Sequence, residues 1–151
     1  MKFWLMKSEP SMYSIKDLRR DGSTYWDGVR NFQARNFMRD GIKKEDRVLL
    51  YHSNAQPSGV AGIAKIVKEG YADFTAWDKN AIHFDPKSTE AKPLWFMVDV
   101  AFVAQFKNFI PLEVLKNETA LRGMLVIQKG SRLSVQPVDK KHFDWVCRMG
   151  R

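Results

Sequence analysis

Residues Arg47 to Val67 read R-V-L-L-Y-H-S-N-A-Q-P-S-G-V-A-G-I-A-K-I-V. Both flanks of this stretch are rich in aliphatic and β-branched residues, which favour extended strands. The middle part, Asn54 to Gly59, contains Asn, Pro and Gly, which interrupt regular structure. The stretch therefore predicts a hairpin of two antiparallel strands joined by a loop of about six residues.

Further strands are predicted on both sides of the hairpin. The apolar run from Lys2 to Lys7 indicates a buried strand, and apolar residues alternate with other residues between Trp95 and Phe106. Arg132 to Gln136 alternates in the same way, and Pro137 is expected to end that strand. Leu125 to Lys129 is a further short candidate strand.

Short helices are predicted between and around these strands. Ser14 and Asp17 have the spacing of a capping box at the start of a helix, and Asn31 is typical of the residue that caps a helix N-terminus. Further helices are expected over Pro111 to Lys116 and over Asp139 to Met149. The combination predicts an α+β domain over residues 1–151, with a mixed, mostly antiparallel sheet of five or six strands that curls toward a small barrel.

The composition narrows the partners and the compartment. The chain has 151 residues and a formal net charge of +8, which favours a polyanionic partner such as nucleic acid. A single cysteine, Cys147, excludes a disulfide framework within the chain and is typical of a reducing compartment. No apolar run has transmembrane length, and the N-terminus lacks the features of a signal peptide. We therefore expect no membrane association and a cytoplasmic location, or a nuclear one in a eukaryote.

Motifs for catalysis, metals and cofactors are missing from the sequence. The three histidines lie on separate predicted elements without the spacing of metal ligands. The chain contains neither a phosphate-binding glycine loop nor a nucleophile elbow. We therefore expect no enzyme activity, no cofactor and no metal; if the chain were an enzyme, Glu9 and Asp85 would be the candidates for a base or nucleophile.

One segment combines an aromatic residue, a tight turn and a helix start. It runs from Trp26 to Arg39 and reads W-D-G-V-R-N-F-Q-A-R-N-F-M-R. A flat indole beside backbone N–H groups at a helix N-terminus suits a planar ligand that carries a phosphate. The alternative is that Trp26 only anchors the core beneath a loop.

Polar residues follow the predicted strands and would supply the contacts that a nucleobase needs. A base presents a π-face for stacking and a polar edge for hydrogen bonds. Trp26 is the stacking candidate. The candidates for reading the edge are Glu9, Asn31, Ser53 and Asn54, and those for contacting phosphates are Arg30, Arg35 and Arg132.

Seven segments, in order along nearly the whole chain, resemble the EVE domain. They are K-S-E-P at Lys7–Pro10, W-D-G-V-R-N-F-Q-A-R-N-F at Trp26–Phe37, Y-H-S-N at Tyr51–Asn54, G-V-A-G-I-A at Gly59–Ala64, F-D-P-K-S at Phe84–Ser88, W-F-M-V-D-V at Trp95–Val100 and R-L-S-V-Q-P-V at Arg132–Val138. The resemblance implies a PUA-like fold related to YTH domains. It also implies a non-catalytic DNA- or RNA-binding reader of modified bases, cytosine derivatives in particular.

The resemblance also implies positions for the base pocket. It places Lys7, Ser8 and Glu9 at the exit of the first strand, which lines the pocket. Trp26 matches the first aromatic wall, and Ser53 and Asn54 match the exit of the second strand. Two residues remain open as the other aromatic wall, Trp77 and Trp95. Two other functions stay possible: a nucleotide- or RNA-modifying enzyme, and a module that binds a small molecule or a peptide.

Overall fold

The computed structural model describes all residues from 1 to 151. The six strands are β1 (Phe3–Ser8), β2 (Ser23–Tyr25), β3 (Arg47–His52), β4 (Gly59–Ala72), β5 (Phe96–Pro111) and β6 (Val135–Val138). The four α-helices are α1 (Ile15–Asp21), α2 (Phe32–Asn36), α3 (Leu112–Asn117) and α4 (Lys140–Gly150). Short 3-10 turns cover Phe74–Trp77, Thr119–Leu121 and Leu125–Ile127, and a π-helical turn covers Phe37–Gly41.

The six strands form one sheet in the order β2-β5-β4-β3-β1-β6. Only β1 and β3 are parallel neighbours; the other four pairings are antiparallel. The predicted mixed, mostly antiparallel sheet is therefore confirmed. Its closure into a barrel is not observed, because β2 and β6 do not pair with each other and remain the two edges of an open sheet.

Alternating side chains of the sheet enter two separate hydrophobic clusters. In β1, Trp4 and Met6 belong to a cluster of 17 buried residues, whereas Leu5 belongs to a second cluster of 11. The period-two geometry of a strand explains this division, since successive side chains point to opposite faces. Helix α4 covers the second face through Phe143 and Val146, and the elements between β1 and β3 cover the first.

The two helix caps predicted from the sequence are confirmed. The Ser14 hydroxyl accepts from the Asp17 N–H, and the Asp17 carboxylate accepts from the Ser14 N–H, which completes the capping box of α1. Asn31 caps α2 by accepting from the Ala34 N–H at 3.0 Å. The predicted helix after Asn31 is shorter than expected, because a π-helical turn follows it from Phe37.

Three details of the strand prediction are wrong. Leu125–Ile127 forms a 3-10 turn rather than a strand. Pro137 lies within β6, where an edge strand tolerates it because only one side of the strand pairs. The short edge strand β2 has no signal in the sequence pattern and is visible only through its pairing with β5. None of the helices combines the length and the hydrophobicity that a membrane-spanning helix requires.

Candidate functional site

A cleft of about 730 Å³ is lined by residues at the end of β1 and by residues of β2 and the turn that follows it. Its lining comes from four segments: residues 7–9, residues 12–13, residues 24–28, and parts of residues 74–83. The volume lies within the range of small-molecule sites, which are clefts or cavities of about 300–1,000 Å³. The cleft is therefore large enough for a nucleobase with part of its sugar.

Trp26 belongs both to the cleft and to the core. Its side chain lines the cleft, yet the residue is only 8% exposed and is part of the larger hydrophobic cluster. The Trp26 backbone N–H donates to the Val98 carbonyl at 2.8 Å, and the Tyr13 ring packs edge-on against the indole with ring centroids 6.3 Å apart. The two interpretations of Trp26 are therefore compatible, since one indole can anchor the core and form the inner wall of a cleft.

The exit of β1 supplies the polar part of the lining. Lys7 is half-buried, and this burial lowers the pKa of its ammonium group. The Ser8 hydroxyl donates to the Tyr13 carbonyl at 2.7 Å, which holds the following turn. The Glu9 carboxylate accepts from the Asn54 side-chain amide at 2.6 Å. All three residues line the cleft, and one Glu9 carboxylate oxygen is engaged by Asn54.

Ser53 and Asn54 lie behind this lining. Because β1 and β3 are parallel, their ends meet at one edge of the sheet, with Ser8 opposite His52. The Ser53 N–H donates to the Ser8 carbonyl at 3.0 Å. Asn54 adopts a φ of 48°, and its side chain reaches Glu9. Neither residue lines the cleft, and Asn54 acts on it by orienting Glu9.

Arg30 and Asn31 are engaged within the chain. Arg30 forms an ion pair of 2.9 Å with Asp73, whose side chain is fully buried, and donates to the His83 carbonyl at 2.7 Å. Asn31 is occupied as the cap of α2. Neither lines the cleft, but Arg30 supports it from behind, since His83 is part of the wall.

Asp73 joins two segments of the wall. Its Oδ2 accepts from the Gly28 N–H at 3.0 Å, and its Oδ1 accepts from the Thr75 N–H at 2.9 Å. Burial raises the pKa of this carboxyl, but the hydrogen bonds from Thr75, Gly28 and Arg30 outweigh burial and hold it below its usual value. Asp73 therefore stays ionised and ties the turn after Trp26 to the segment that begins at Phe74.

The other predicted aromatic walls lie outside the cleft. Trp95 donates from Nε1 to the Asp85 carboxylate at 2.8 Å and stacks on Phe32 with ring centroids 4.9 Å apart. Trp77 is half-buried at the end of a 3-10 turn. Neither lines the cleft. The aromatic rings that do line it beside Trp26 are Tyr13, Tyr25 and Phe74.

Two residues predicted to contact phosphates, Arg35 and Arg132, differ in whether their side chains are free to bind a ligand. Arg35 donates to the Leu94 carbonyl at 2.8 Å and lies over the Phe32 ring. Arg132 is exposed and forms no ion pair. Its loop is held beside β1, because the Lys7 N–H donates to the Ser134 carbonyl at 2.9 Å and the Lys7 ammonium lies 3.4 Å from the Ser131 carbonyl.

Several lining residues were not predicted as site residues. Asp27 and Gly28 follow Trp26 directly, so the prediction of Trp26 as a site residue was the signal that could have identified them. Ile82 and His83 lie in the least regular part of the sequence, which carried no signal for them. The remaining ones are Met12, Tyr13, Thr24, Tyr25, Phe74, Thr75, Asp78 and Ala81.

Acceptors predominate among the charged groups of the lining. The lining contains three acidic residues, Glu9, Asp27 and Asp78, and one lysine, Lys7. A carboxylate offers only acceptors, so the cleft is suited to a ligand edge that carries N–H donors. No group of three or more His, Cys, Asp or Glu residues is arranged to hold a metal ion.

Comparisons with known proteins agree over almost the full chain. The family model described as the EVE domain matches residues 2–149. Thymocyte nuclear protein 1 from Homo sapiens is 46% identical over 164 residues, which cover 97% of this chain and 72% of that protein. The same protein from Mus musculus is 44% identical, with 97% and 73% covered.

Solved structures share both the fold and the sequence. A crystal structure of a protein from Pseudomonas syringae has a TM-score of 0.94 and 45% identity, with 99% of each chain covered. The crystal structure of human THYN1 protein in complex with 5-methylcytosine-containing DNA has a TM-score of 0.93 and 42% identity, with 100% of this chain and 98% of that chain covered. The chain described here belongs to the EVE domain family.

Proposed function

We propose that this protein is a non-catalytic module that binds nucleic acid and holds a modified base, a cytosine derivative, in the cleft beside Trp26. The observation that carries the proposal is the match to human THYN1 protein, which was crystallised with 5-methylcytosine-containing DNA and aligns with the whole of this chain. The cleft at the exit of β1 supplies the matching chemistry, because it combines an indole wall with oriented polar groups.

The base would stack against Trp26, with Tyr13 closing the same side. Stacking of a base on an aromatic side chain contributes about 1–3 kcal/mol and tolerates any base, so the preference must come from polar groups. Carboxylates such as Glu9 and Asp78 accept hydrogen bonds from the exocyclic amino group of cytosine. The corresponding oxygen of thymine is an acceptor, and a carboxylate repels it. The lining therefore favours cytosine derivatives over thymine.

The phosphates would lie outside the cleft. Three carboxylates in the lining disfavour a phosphate inside it. Arg30 and Arg35 are bound to groups of the chain itself, so we assign them to supporting the wall. Arg132, together with Lys129 on the same exposed loop, remains available beside β1. We assign the phosphate contacts to this loop.

A catalytic role has little support. Asp85 does not line the cleft; its carboxylate accepts from Trp95 and from the Lys87 N–H, and these bonds lower its pKa. Glu9 lines the cleft but is joined to Asn54 rather than to a nucleophile or a general base. This arrangement lacks the nucleophile–base pair on which hydrolysis and transfer depend, and it supports a binding role.

The test is a binding screen with the purified chain at two salt concentrations. The probes are single- and double-stranded DNA and RNA oligonucleotides that carry cytosine, 5-methylcytosine or N6-methyladenine at one position. We expect tighter binding to the 5-methylcytosine probes, and weaker binding at higher salt because phosphate contacts release counterions.

The other outcomes separate the alternatives. Salt-sensitive binding that ignores the modification would leave a general nucleic-acid-binding protein and remove the base-reading role of the cleft. If the chain turned over a modified nucleoside and the Glu9→Gln variant lost this turnover, the protein would be an enzyme rather than a non-catalytic module. Binding of the free nucleoside as tightly as the oligonucleotide would indicate a small-molecule module.

A further inference from the structure

Exposed apolar side chains are concentrated at the mouth of the cleft. Ten large hydrophobic residues of the chain are exposed, and four of them, Met12, Tyr25, Phe74 and Ile82, line this one cleft. Tyr25 and Phe74 pack on each other with ring centroids 5.1 Å apart. Met12 is 59% exposed and Ile82 is 80% exposed, so these two present most of their apolar surface to solvent.

The backbones that carry these two side chains are held in place. Met12 lies in a turn. Its backbone N–H donates to the Glu9 carbonyl at 2.9 Å, and the Tyr13 N–H donates to the same carbonyl at 2.8 Å. Ile82 lies between Ala81, whose N–H donates to the Asp78 backbone carbonyl at 3.0 Å, and His83, whose carbonyl accepts from Arg30. Two ordered segments therefore present aliphatic groups at the rim, and water exposure of such groups is unfavourable in the free protein.

A duplex with an extruded base offers a matching surface. When one nucleotide leaves the stack, it exposes the apolar faces of the two neighbouring bases, which then stand about 7 Å apart, twice the rise of about 3.4 Å. Proteins that deform DNA insert apolar side chains, Ile and Met among them, between the bases of a stack, and the same chemistry suits this gap. A flexible single strand has no such gap to fill. Exposed aliphatic groups beside a base-sized cleft therefore favour a duplex as partner.

The charge around the cleft agrees with this partner. Carboxylates of Glu9, Asp27 and Asp78 lie in the cleft, whereas Lys129 and Arg132 lie on the exposed loop that Lys7 ties to β1. The base of an extruded nucleotide would enter the carboxylate-rich cleft, and the phosphates on either side would meet the basic loop.

We propose, on the basis of the proposed function, that Met12 and Ile82 form a wedge that enters the base stack of a DNA duplex and occupies the gap left by the extruded modified cytosine. The wedge keeps the duplex open while the cleft holds the base. It gives this protein a preference for duplex DNA that the cleft alone does not supply.

The test compares the native chain with Ile82→Ser and Met12→Ser on matched probes. Each probe carries either one 5-methylcytosine or an unmodified cytosine at the same position, in a single strand or in the same strand annealed to its complement. Val114→Ser is the control, because Val114 is 45% exposed on α3 and does not line the cleft. Thermal unfolding of each variant, followed by circular dichroism, checks that the fold is retained.

We expect each wedge variant to bind the duplex about tenfold more weakly and the single strand within about twofold of the native chain. An equal loss on both probes would overturn the wedge, because the side chains would then contact the nucleotide itself. No loss on the duplex, or a native chain that binds only single strands, would also overturn it. A native chain that ignores the methyl group on both probes would instead overturn the proposed function, and the wedge with it.

Discussion

The Arg30 guanidinium joins the fully buried Asp73 carboxylate at 2.9 Å and at the same time donates to the His83 carbonyl at 2.7 Å. These two partners belong to the segment that closes one side of the cleft, while Arg30 itself belongs to the segment that follows Trp26. A residue predicted to contact phosphate therefore connects two walls of the cleft.

Arg30→Ala should destabilise the protein. The substitution leaves the Asp73 charge buried without its cationic partner, and only the donors of Gly28 and Thr75 remain. We expect a loss of about 2 kcal/mol in the free energy of unfolding, measured by urea denaturation, since Arg30 is partly exposed and solvent screens part of the pair. Arg39→Ala is the matched control, because Arg39 pairs with an exposed Asp40. Equal unfolding midpoints for the two variants would contradict a structural role for Arg30.

Gly28→Ala should disturb the cleft more than Gly22→Ala. Both glycines have a positive φ, 81° and 80° respectively, so both substitutions introduce backbone strain of about 1–3 kcal/mol. A Cβ on Gly28 would lie 2.5 Å from the His83 ring, whereas a Cβ on Gly22 would meet nothing within 4 Å. We therefore expect only Gly28→Ala to weaken oligonucleotide binding, in a titration at a temperature where both variants are folded. Similar affinities would show that His83 does not shape the site.

His52 should make stability depend on pH. Its Nε2 accepts from the Ile15 N–H at 3.1 Å, which a protonated ring cannot do. Burial lowers the pKa of His52 below its usual 6.5, although the nearby Asp17 carboxylate opposes the shift. The unfolded chain therefore takes up a proton first as the pH falls, and the free energy of unfolding should decrease below about pH 6.5.

His52→Gln separates this effect from those of other groups. The Gln side chain keeps an acceptor for Ile15 but does not titrate. Thermal unfolding between pH 5 and pH 8 should show a smaller loss of stability at the acidic end for this variant than for the native chain. Identical pH profiles would assign the dependence to other residues.

Trp26→Ala should weaken binding of a 5-methylcytosine oligonucleotide by about 5- to 150-fold, which corresponds to the loss of about 1–3 kcal/mol of stacking. Trp26 also belongs to the core, so the affinity must be corrected for the folded fraction measured by circular dichroism. Trp77→Ala is the matched control, since Trp77 lies outside the cleft. If Trp77→Ala weakened binding and Trp26→Ala did not, the base would bind elsewhere.

Glu9→Gln should reduce discrimination between bases. An amide can turn either a donor or an acceptor toward the ligand, so it no longer repels the thymine oxygen. We expect the preference for cytosine over thymine at the probed position to fall by about tenfold, with fluorescence anisotropy as the measurement. Glu113→Gln, on the exposed face of α3, should leave the preference intact. An unchanged preference in Glu9→Gln would move the reading of the base edge to Asp27 or Asp78.

Short-range features of this chain were predictable because the interactions behind them span only a few residues. The capping box of Ser14 and Asp17 closes over three residues, and the cap at Asn31 does the same. Alternation along β1 assigns Trp4 and Leu5 to opposite faces, since the geometry of a strand has a period of two. The end of β1 near Lys7 to Glu9 was predictable for the same reason, since the end of a strand is a local property.

Tertiary structure alone decided which side chains meet at the cleft. Arg30 and Asp73 are 43 residues apart, and Glu9 and Asn54 are 45 apart; no local pattern encodes such pairs. The open edge of the sheet depends on how the short strands β2 and β6 pair, and Arg30 helps to hold the loop that carries Ile82 by donating to the His83 carbonyl. Trp95 and Trp26 are both plausible aromatic walls from the local sequence. Stacking on Phe32 and a hydrogen bond to Asp85 hold Trp95 outside the cleft. Long-range packing and hydrogen bonding, rather than residue type, separate the two.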